Sequence, residues 1–322
     1  MQPFFVPNIS DENDPIHFEC DDSFDANSEV LKYFVQFLYL CLGAYLNSAI
    51  LYTLLIKQRE TLLANSFFVL FAMDSGVSLT LILTDVCFAR LFIYFTPLCP
   101  ALRGYFASPL LAFKLVMIVI HHSKVCKSVL QSLLVLNRMT CVLVPIRHSA
   151  TWRRSLPYLV PFVVLLPLTV DWNLVISRAY MMPTYGGFWV NYIKKVAWAT
   201  QSRFQLFFLL IALAFTVICT SVTLYTLVML PNRLRGIERS ITIATALISA
   251  AFTTILFSFF SYNTIVTSIF ALNNFVYDFL NVGSPIVMLG VSKSVRQSVF
   301  SWKKRVELRN SQIFPVSVTS TI

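Results

Sequence analysis

Charged side chains are scarce in this chain of 322 residues: they make up 12% of it, whereas a soluble domain averages about 25%. Hydrophobic residues reach 57%. One aqueous core cannot hide so much apolar surface, so the composition excludes an ordinary soluble domain and indicates a membrane protein. The net charge of +10 does not indicate nucleic-acid binding, because Lys and Arg lie at the ends of apolar runs, where they fix topology and contact anionic lipid.

The sequence also lacks several motifs. Residues 1–30 have neither a basic start nor an apolar core, so we predict no cleavable signal peptide and expect the first apolar run to act as a signal anchor. HExxH, GxSxG and the Cys/His spacing of a metal site are all missing. We therefore expect no enzyme, no cofactor and no metal.

Seven apolar runs are long enough to cross a bilayer, because about twenty helical residues span its hydrocarbon core. They lie near residues 33–56, 65–89, 109–143, 155–175, 203–230, 240–262 and 266–289. We expect an all-α membrane protein, a seven-transmembrane helix bundle over residues 33–290. An acidic tail precedes it at 1–32, and a tail at 291–322 follows.

The final tail has an apolar stripe at helical spacing, formed by Val295, Val299, Trp302 and Val306. The stripe predicts a short amphipathic C-terminal helix that lies on the inner leaflet and ends near residue 307. A disordered basic tail is the alternative.

The distribution of basic residues predicts the orientation. One side carries 14 Lys and Arg residues, and the other carries Lys32, Arg90, Arg103, Arg178, Lys194 and Lys195. We therefore expect a multi-pass plasma-membrane protein with an extracellular N-terminus and a cytoplasmic C-terminus. The sequon at Asn8 is then a candidate glycosylation site. Cys20 and Cys99 would also lie outside, where a disulfide persists, although Cys87 competes as a partner.

The third run carries polar residues at spacings of 7, 3, 4, 3 and 7, which share one helical face: Lys114, His121, Lys124, Ser128, Gln131 and Arg138. Charges at membrane depth are costly and normally face the bundle interior. We predict an outer ligand cavity from Lys114, His121, Lys124, Asp85, Asp278 and Tyr262. Cations among aromatic rings favour a small organic acid with an apolar portion. The alternative is that these charges only neutralise one another and hold the helices in register.

Several core residues resemble the rhodopsin-like receptor pattern. Gly43-x-x-x-Asn47 and Asp74 match that family's buried Asn and Asp in kind and spacing. Lys127 lies on the side of the third run that can meet Asp74. Its ammonium would occupy the space in which many seven-helix receptors bind sodium, which implies permanent neutralisation of Asp74.

The inner ends of the third and seventh runs resemble the same pattern. Asn137-Arg138-Met139, followed by Pro145, is similar to the DRY motif with its loop proline, and Asn281 with Ser284-Pro285-x-x-Leu289 is similar to NPxxY. The sequence departs from aminergic and peptide receptors in the sixth run, which lacks Cys-Trp-x-Pro. It departs again at Phe113, where the usual outer cysteine would stand.

A closer resemblance, over about residues 33–300, is to the nematode serpentine receptors of class gamma, the Srg family. It rests on Arg90-Leu-Phe-Ile-Tyr94, Pro97-Leu-Cys-Pro100, Leu136-Asn-Arg-Met-Thr-Cys141, Asp171-Trp-Asn173, Gly186-Gly-Phe188, Leu224-Tyr225 and Glu238-Arg-Ser240. The resemblance implies a chemosensory receptor of sensory neurons. Its implied partners are a small-molecule ligand, a heterotrimeric G protein and the lipid bilayer.

The resemblance also implies a switch. Arg138 would contact Glu238, just before the sixth run, until that helix swings outward; pairing of Glu238 with Arg235 is the alternative. Because Asn137 replaces the usual acid, proton uptake there is no part of the switch.

A secondary transporter for a small anionic solute is the alternative function. Such proteins often have repeated halves and paired broken helices. This sequence has no repeat, although Pro157, Pro161 and Pro167 interrupt the fourth run.

Overall fold

A computed structural model describes residues 14–21, 23–108, 110–184, 186–229, 274–275 and 277–300. Most of these residues are helical. The sixth predicted span and residues 266–273 of the seventh lie outside the described residues, as do Asn8, Glu238 and Tyr262.

The helical elements follow one another along the chain, and the described residues include three π-helical segments that continue or precede α-helices. They are α1 (Ala26–Tyr52), π1 (Thr53–Lys57), α2 (Arg59–Leu62), α3 (Ser66–Thr84), π2 (Asp85–Arg90), α4 (Leu91–Tyr94), α5 (Leu98–Phe106), α6 (Leu111–Leu143), α7 (Pro145–Leu165), α8 (Leu168–Ile176), α9 (Gln201–Met229), π3 (Phe279–Gly283), α10 (Ser284–Val291) and α11 (Lys293–Phe300).

Four helical stretches of the described chain are long and apolar enough to cross a membrane: Ala26–Lys57, Ser66–Tyr94, Pro145–Ile176 and Gln201–Thr226. The pair α5 and α6, bent by 110° at their junction, makes a fifth candidate. The apolar stretch Phe279–Gly290 is shorter. The chain therefore contains several membrane spans, and the count of seven stays a prediction.

The second span extends further than expected. It continues through π2 and α4 to Tyr94, so Arg90, which the sequence assigned to an outer linker, is 3% exposed inside the bundle. A π-helix places residues i and i+5 above one another, whereas an α-helix separates them by about 140°. The π turn thereby directs Arg90 to the same side as Asp85, which neutralises it.

The fourth span begins earlier than expected. Helix α7 starts at Pro145, about ten residues before the predicted span, and carries Arg147, Arg153 and Arg154 on a helix rather than in a linker. Proline suits this first position because its fixed φ is helical and its missing N–H would have had no partner in the helix.

Residues 178–193 form a β-hairpin, which departs from the all-α expectation. Strand β1 (Arg178–Thr184) pairs antiparallel with β2 (Gly187–Ile193), with Thr184 opposite Gly187. Gly186 has a φ of +77° in the turn, a conformation that favours glycine. A Cβ on Gly187 would lie 2.2 Å from the carbonyl oxygen of Phe92, so only glycine lets the hairpin approach α4 so closely.

The largest apolar cluster lies at the end of the bundle opposite the hairpin. It joins side chains of α1, α3, α6, α7 and α10, such as Ile50, Leu70, Leu130, Val163 and Met288. Val295 of α11 is fully buried in this cluster and Val299 packs against it. Helix α11 therefore directs its apolar stripe to the bundle; Trp302 and Val306 lie outside the described residues.

Candidate functional site

Arg90 is the centre of a polar network near the hairpin. Its Nη2 lies 2.5 Å from Asp278 Oδ1, its Nε donates to the Asp85 carboxylate, and its Nη1 donates to Gln36 Oε1 (2.8 Å) and Tyr39 Oη (3.0 Å). The Tyr39 hydroxyl in turn donates to Asp278. We call Tyr39, Asp85, Arg90, Lys124, Tyr277 and Asp278 the outer network; it ties α1, the second span and α6 to residues 274–283.

Lys124 lies beside these ion pairs without forming one itself. Its Nζ is 5.1 Å from the centre of the Tyr277 ring, within the range of a cation–π contact, and it forms no ion pair with a described residue. Lys124, Asp85, Arg90, Asn274 and Asp278 line one cavity with Tyr277 and several aliphatic side chains. The cavity is small, about 10 Å³, which holds about one water molecule.

The charges of the outer network balance. Arg90 and Lys124 supply two positive charges, and Asp85 and Asp278 supply two negative ones. The two carboxylates are paired with Arg90, so Lys124 is the cation that remains available to an incoming anion.

The other predicted cavity residues lie elsewhere. His121 lines a separate apolar cavity with Trp189 and Val190, and its Nδ1 is 2.6 Å from Gln205 Nε2. Lys114 is half-buried and does not line the cavity of Lys124, because ten residues of helix place it about 15 Å further along α6. Among the described residues Lys114 and His121 do not line the cavity of Lys124, and a cavity shared by all three stays a prediction.

A lid packs on the outer ends of the second span and α6; we define it as residues 14–21, α5 and the hairpin. Cys20 and Cys99 are joined by a disulfide with a Cα–Cα distance of 6.0 Å, while Cys87 is free and exposed. Phe188 of the hairpin is fully buried: its ring stacks on Phe92 at 5.0 Å and contacts Phe18 at 5.7 Å. The acidic tail is thus fastened over the bundle both covalently and by aromatic packing.

Hydrogen bonds define the edges of the lid. The Ser23 hydroxyl and N–H donate to Asp21 at 2.6 and 3.0 Å, which lowers the pKa of that carboxyl below its ordinary value. At the other edge the Tyr192 hydroxyl accepts the Gln201 N–H at 2.8 Å, and burial raises the pKa of this phenol. The first contact is a local turn just before α1, and the second joins the hairpin to the start of α9.

A second polar contact joins α6 to α8 and has no counterpart in the predicted site. His122 Nδ1 lies 2.8 Å from Asp171 Oδ2. Nearby in the chain, Asn173, Ser177 and Gln201 are buried, and each keeps a polar side-chain atom without a hydrogen bond to the described residues. Among the described residues, the buried polar atoms of this region are therefore less completely hydrogen-bonded than those of the outer network.

Lys127 and Asp74 form a buried ion pair at mid-bundle. Lys127 Nζ donates to Asp74 Oδ2 at 2.8 Å and to Ser78 Oγ at 2.5 Å, and Gln131 Nε2 donates to Asp74 Oδ1 at 2.9 Å. The side chains of Lys127 and Asp74 are 0% and 1% exposed. Among the described residues, the other donor to this carboxylate, Gln131, is neutral, so the ammonium supplies its counter-charge.

Asn47 connects the first span to π3. Its Nδ2 donates to Gly43 O at 2.8 Å and to Asn281 O at 2.9 Å. The contact fixes π3 against α1 directly below the outer network.

At the opposite end of α6, the Arg138 guanidinium lies over the Phe67 ring, with its central carbon 3.6 Å from the ring centre. Asn137 Nδ2 donates to Ser66 Oγ at 2.8 Å, and the backbone carbonyl of Asn137 lies 3.2 Å from His148 Nε2. Pro145 begins α7 just beyond. Glu238, the expected partner of Arg138, lies outside the described residues.

Sequence reasoning missed Arg90, Tyr39 and Gln36, which form the centre of the network. A signal for Arg90 was present, because the apolar string Leu91-Phe-Ile-Tyr94 continues the second run beyond it. No comparable signal marks Tyr39 or Gln36, which lie in an otherwise apolar helix.

A family model and individual relatives agree on the family to which this chain is similar. The model of a family described as "Srg family chemoreceptor" matches residues 33–299. Serpentine receptor class gamma-11 of Caenorhabditis elegans is 49% identical over 325 aligned residues, which cover 99% of this chain and 96% of that protein. Serpentine receptor class gamma-14 of the same organism is 50% identical over 308 residues, 94% of either chain.

Proposed function

The chain belongs to the Srg family of chemoreceptors, and from this premise we propose that it is a G-protein-coupled receptor for a small organic acid. The family indicates a receptor rather than an enzyme. The proposal includes seven spans, an extracellular N-terminus, a location in the sensory-neuron plasma membrane and signalling to a heterotrimeric G protein. The observation that carries it is the outer network: buried ion pairs that tie several helical segments together beneath a lid.

The outer network gives the ligand a means of changing the bundle. Arg90 and Asp278 connect the second span to residues 274–283 in the closed state. A ligand shifts a conformational equilibrium only if it binds one state more tightly than the other. The cavity of about 10 Å³ holds no organic acid, so binding requires separation of these segments and favours the open bundle.

The chemistry of the cavity supports a carboxylate ligand. Lys124 is the network's cation without a carboxylate partner among the described residues, and Tyr277 beside it offers an aromatic wall for an apolar portion. A ligand carboxylate that pairs with Lys124 also repels Asp278, which weakens the Arg90–Asp278 contact. Ligand binding and opening are thereby coupled.

Arg138 is the proposed coupling residue at the other end of α6. In the closed state it contacts Glu238, and release of that contact accompanies the outward swing of the sixth helix. The Asn137 amide donates to Ser66, so this position titrates no proton during the switch. Glu238→Gln is expected to raise basal G-protein signalling; unchanged basal signalling at equal surface expression would remove this contact from the mechanism.

A reporter-cell experiment tests the receptor and its ligand class together. Cells that express the chain with a promiscuous G protein and a calcium reporter receive a panel of short and medium-chain carboxylic acids and the matching alcohols. We expect responses to acids only, and Lys124→Met should raise the half-maximal concentration about tenfold or more, because a charge-assisted contact is lost.

Lys194→Met is the matched control, because Lys194 is exposed beyond β2 and should leave the potency unchanged. Equal potency for Lys124→Met and the wild type would refute the assignment of Lys124. Uptake of an active acid into vesicles without any G protein would support a transporter instead.

A further inference from the structure

A large groove lies at the end of the bundle opposite the lid, between the α2–α3 connection, the end of α6 and the start of α7. Its volume is about 600 Å³. The lining residues are Thr61, Leu63, Ala64, Asn65, Ser66, Phe67, Asn137, Arg138, Cys141, His148, Ser149, Arg153, Leu156, Pro157 and Val160. We call it the basic groove; apart from Arg138 and Asn137, the proposed chemoreceptor function assigns no role to the residues that line it.

The polar part of the basic groove is suited to an anion. Arg138 and Arg153 line it together with His148, and none of the described residues that line it is acidic. Thr61 and Ser149 add hydroxyl donors. Arg153 is exposed and forms no ion pair with the described residues, so its guanidinium is available to a ligand. The exposed guanidinium of Arg153, together with these hydroxyl donors, makes a site for a phosphate.

The apolar part follows along the same face of α7. Arg153, Leu156, Pro157 and Val160 are spaced by 3, 1 and 3 residues, so they lie on one helical face. Seven residues of helix place Val160 about 10 Å beyond Arg153. Further along α7, Val164 lies on the same helical face and is 48% exposed, which continues the apolar surface outward.

The basic groove thus has a cation and hydroxyl donors at one end and an apolar wall at the other. This arrangement is complementary to an amphiphile with an anionic headgroup. A phosphate at Arg153 would place its attached acyl chain along Leu156, Pro157 and Val160. A soluble anion would leave that apolar wall exposed, and a neutral lipid would leave Arg153 without a partner.

We propose that the basic groove binds one anionic phospholipid, with its phosphate on Arg153 and the hydroxyls of Thr61 and Ser149 and an acyl chain against Leu156, Pro157 and Val160. The headgroup lies beside the Arg138 guanidinium on Phe67, so the bound lipid stabilises this end of α6.

The test uses the full-length protein in nanodiscs of phosphatidylcholine with a minor fraction of phosphatidylserine. After transfer to mild detergent, native mass spectrometry counts the lipids that stay bound, and a titration gives their affinity. We expect one retained phosphatidylserine. Arg153→Gln should weaken its binding about tenfold, because the loss of a charge-assisted hydrogen bond is worth about one decade in affinity.

Arg147→Gln is the matched control, because Arg147 is also exposed but does not line the basic groove. It should retain the lipid. Equal losses in Arg153→Gln and Arg147→Gln would show diffuse attraction to a basic surface and overturn the proposal, as would equal retention of phosphatidylcholine by the wild type.

A second variant and a competition experiment complete the test. If Arg153→Gln fails to fold, Val160→Ser keeps every charge and should still weaken retention through the acyl contact; unchanged retention would overturn the proposal. Soluble glycerophosphoserine should compete poorly, since it lacks the acyl chain. Competition at the same concentration as the lipid would identify a site for small anions and overturn the lipid assignment.

Discussion

Lys127→Met should destabilise the protein strongly, although methionine fills nearly the same space. The ammonium is the counter-charge of Asp74, and both side chains are buried, at 0% and 1% exposed. Without it the carboxylate keeps, among the described residues, the neutral donor Gln131. Removal of one partner of a buried ion pair costs about 3–5 kcal/mol, because the other charge is left uncompensated.

The size of the effect makes it measurable by thermal unfolding in detergent. At about 2–4 °C per kcal/mol, the unfolding midpoint should fall by roughly 10 °C. A thiol-reactive dye can report the transition, because Cys126 and Cys219 are 3% and 2% exposed in the folded chain and become reactive on unfolding. Lys194→Met, which removes an exposed ammonium, should leave the midpoint unchanged.

The double variant Asp74→Asn/Lys127→Met separates charge from packing. With both charges removed, the penalty of the unpaired carboxylate disappears, and most of the lost stability should return. Sodium chloride should stabilise Lys127→Met relative to a bulky organic chloride and have no such effect on the wild type. A single variant within about 1 kcal/mol of the wild type, or a double variant no better than the single one, would refute the reasoning.

The lid gives two further predictions. Gly187→Ala should lower the free energy of unfolding by about 1–3 kcal/mol, because its methyl group would lie 2.2 Å from the Phe92 carbonyl oxygen. Gly104→Ala is the control, because a Cβ at Gly104 would meet nothing within 4 Å. Equal thermal unfolding midpoints for the two variants would contradict the close approach of the hairpin. Loss of the disulfide should lower the free energy of unfolding by about 2–4 kcal/mol in each of Cys20→Ser, Cys99→Ser and the double variant, because the bridge joins cysteines 79 residues apart. Unequal losses in the thermal assay would show that the two thiols act independently.

The sequence predicted the parts of the molecule that depend on local pattern. The membrane class and the Srg resemblance are confirmed, because hydropathy and short strings can be read residue by residue. The contact between Lys127 and Asp74 follows from the period of an α-helix, which turns Lys127 toward the second span. Helical periodicity sufficed wherever the helix was regular.

The outer network could not be predicted in the same way. Arg90 reaches Asp85 because π2 places residues five apart on one side, and no pattern in the sequence marks where an α-helix becomes a π-helix. The hairpin at 178–193 depends on contacts of Gly187 and Phe188 with the second span, which are distant in sequence. A shared helical face gives no information about depth in the membrane, so a common cavity for Lys114 and Lys124 stays a prediction.

The central claim is that Arg90 and Asp278 hold the receptor closed, and basal signalling tests it most directly without a known ligand. Arg90→Gln, Asp278→Asn and the double variant are compared with the wild type in reporter cells, with surface expression matched by labelling an N-terminal epitope. We expect each single variant to raise basal G-protein signalling and the double variant to raise it no further, because all three break the same contact. Basal signalling equal to that of the wild type in well-expressed single variants would contradict the account.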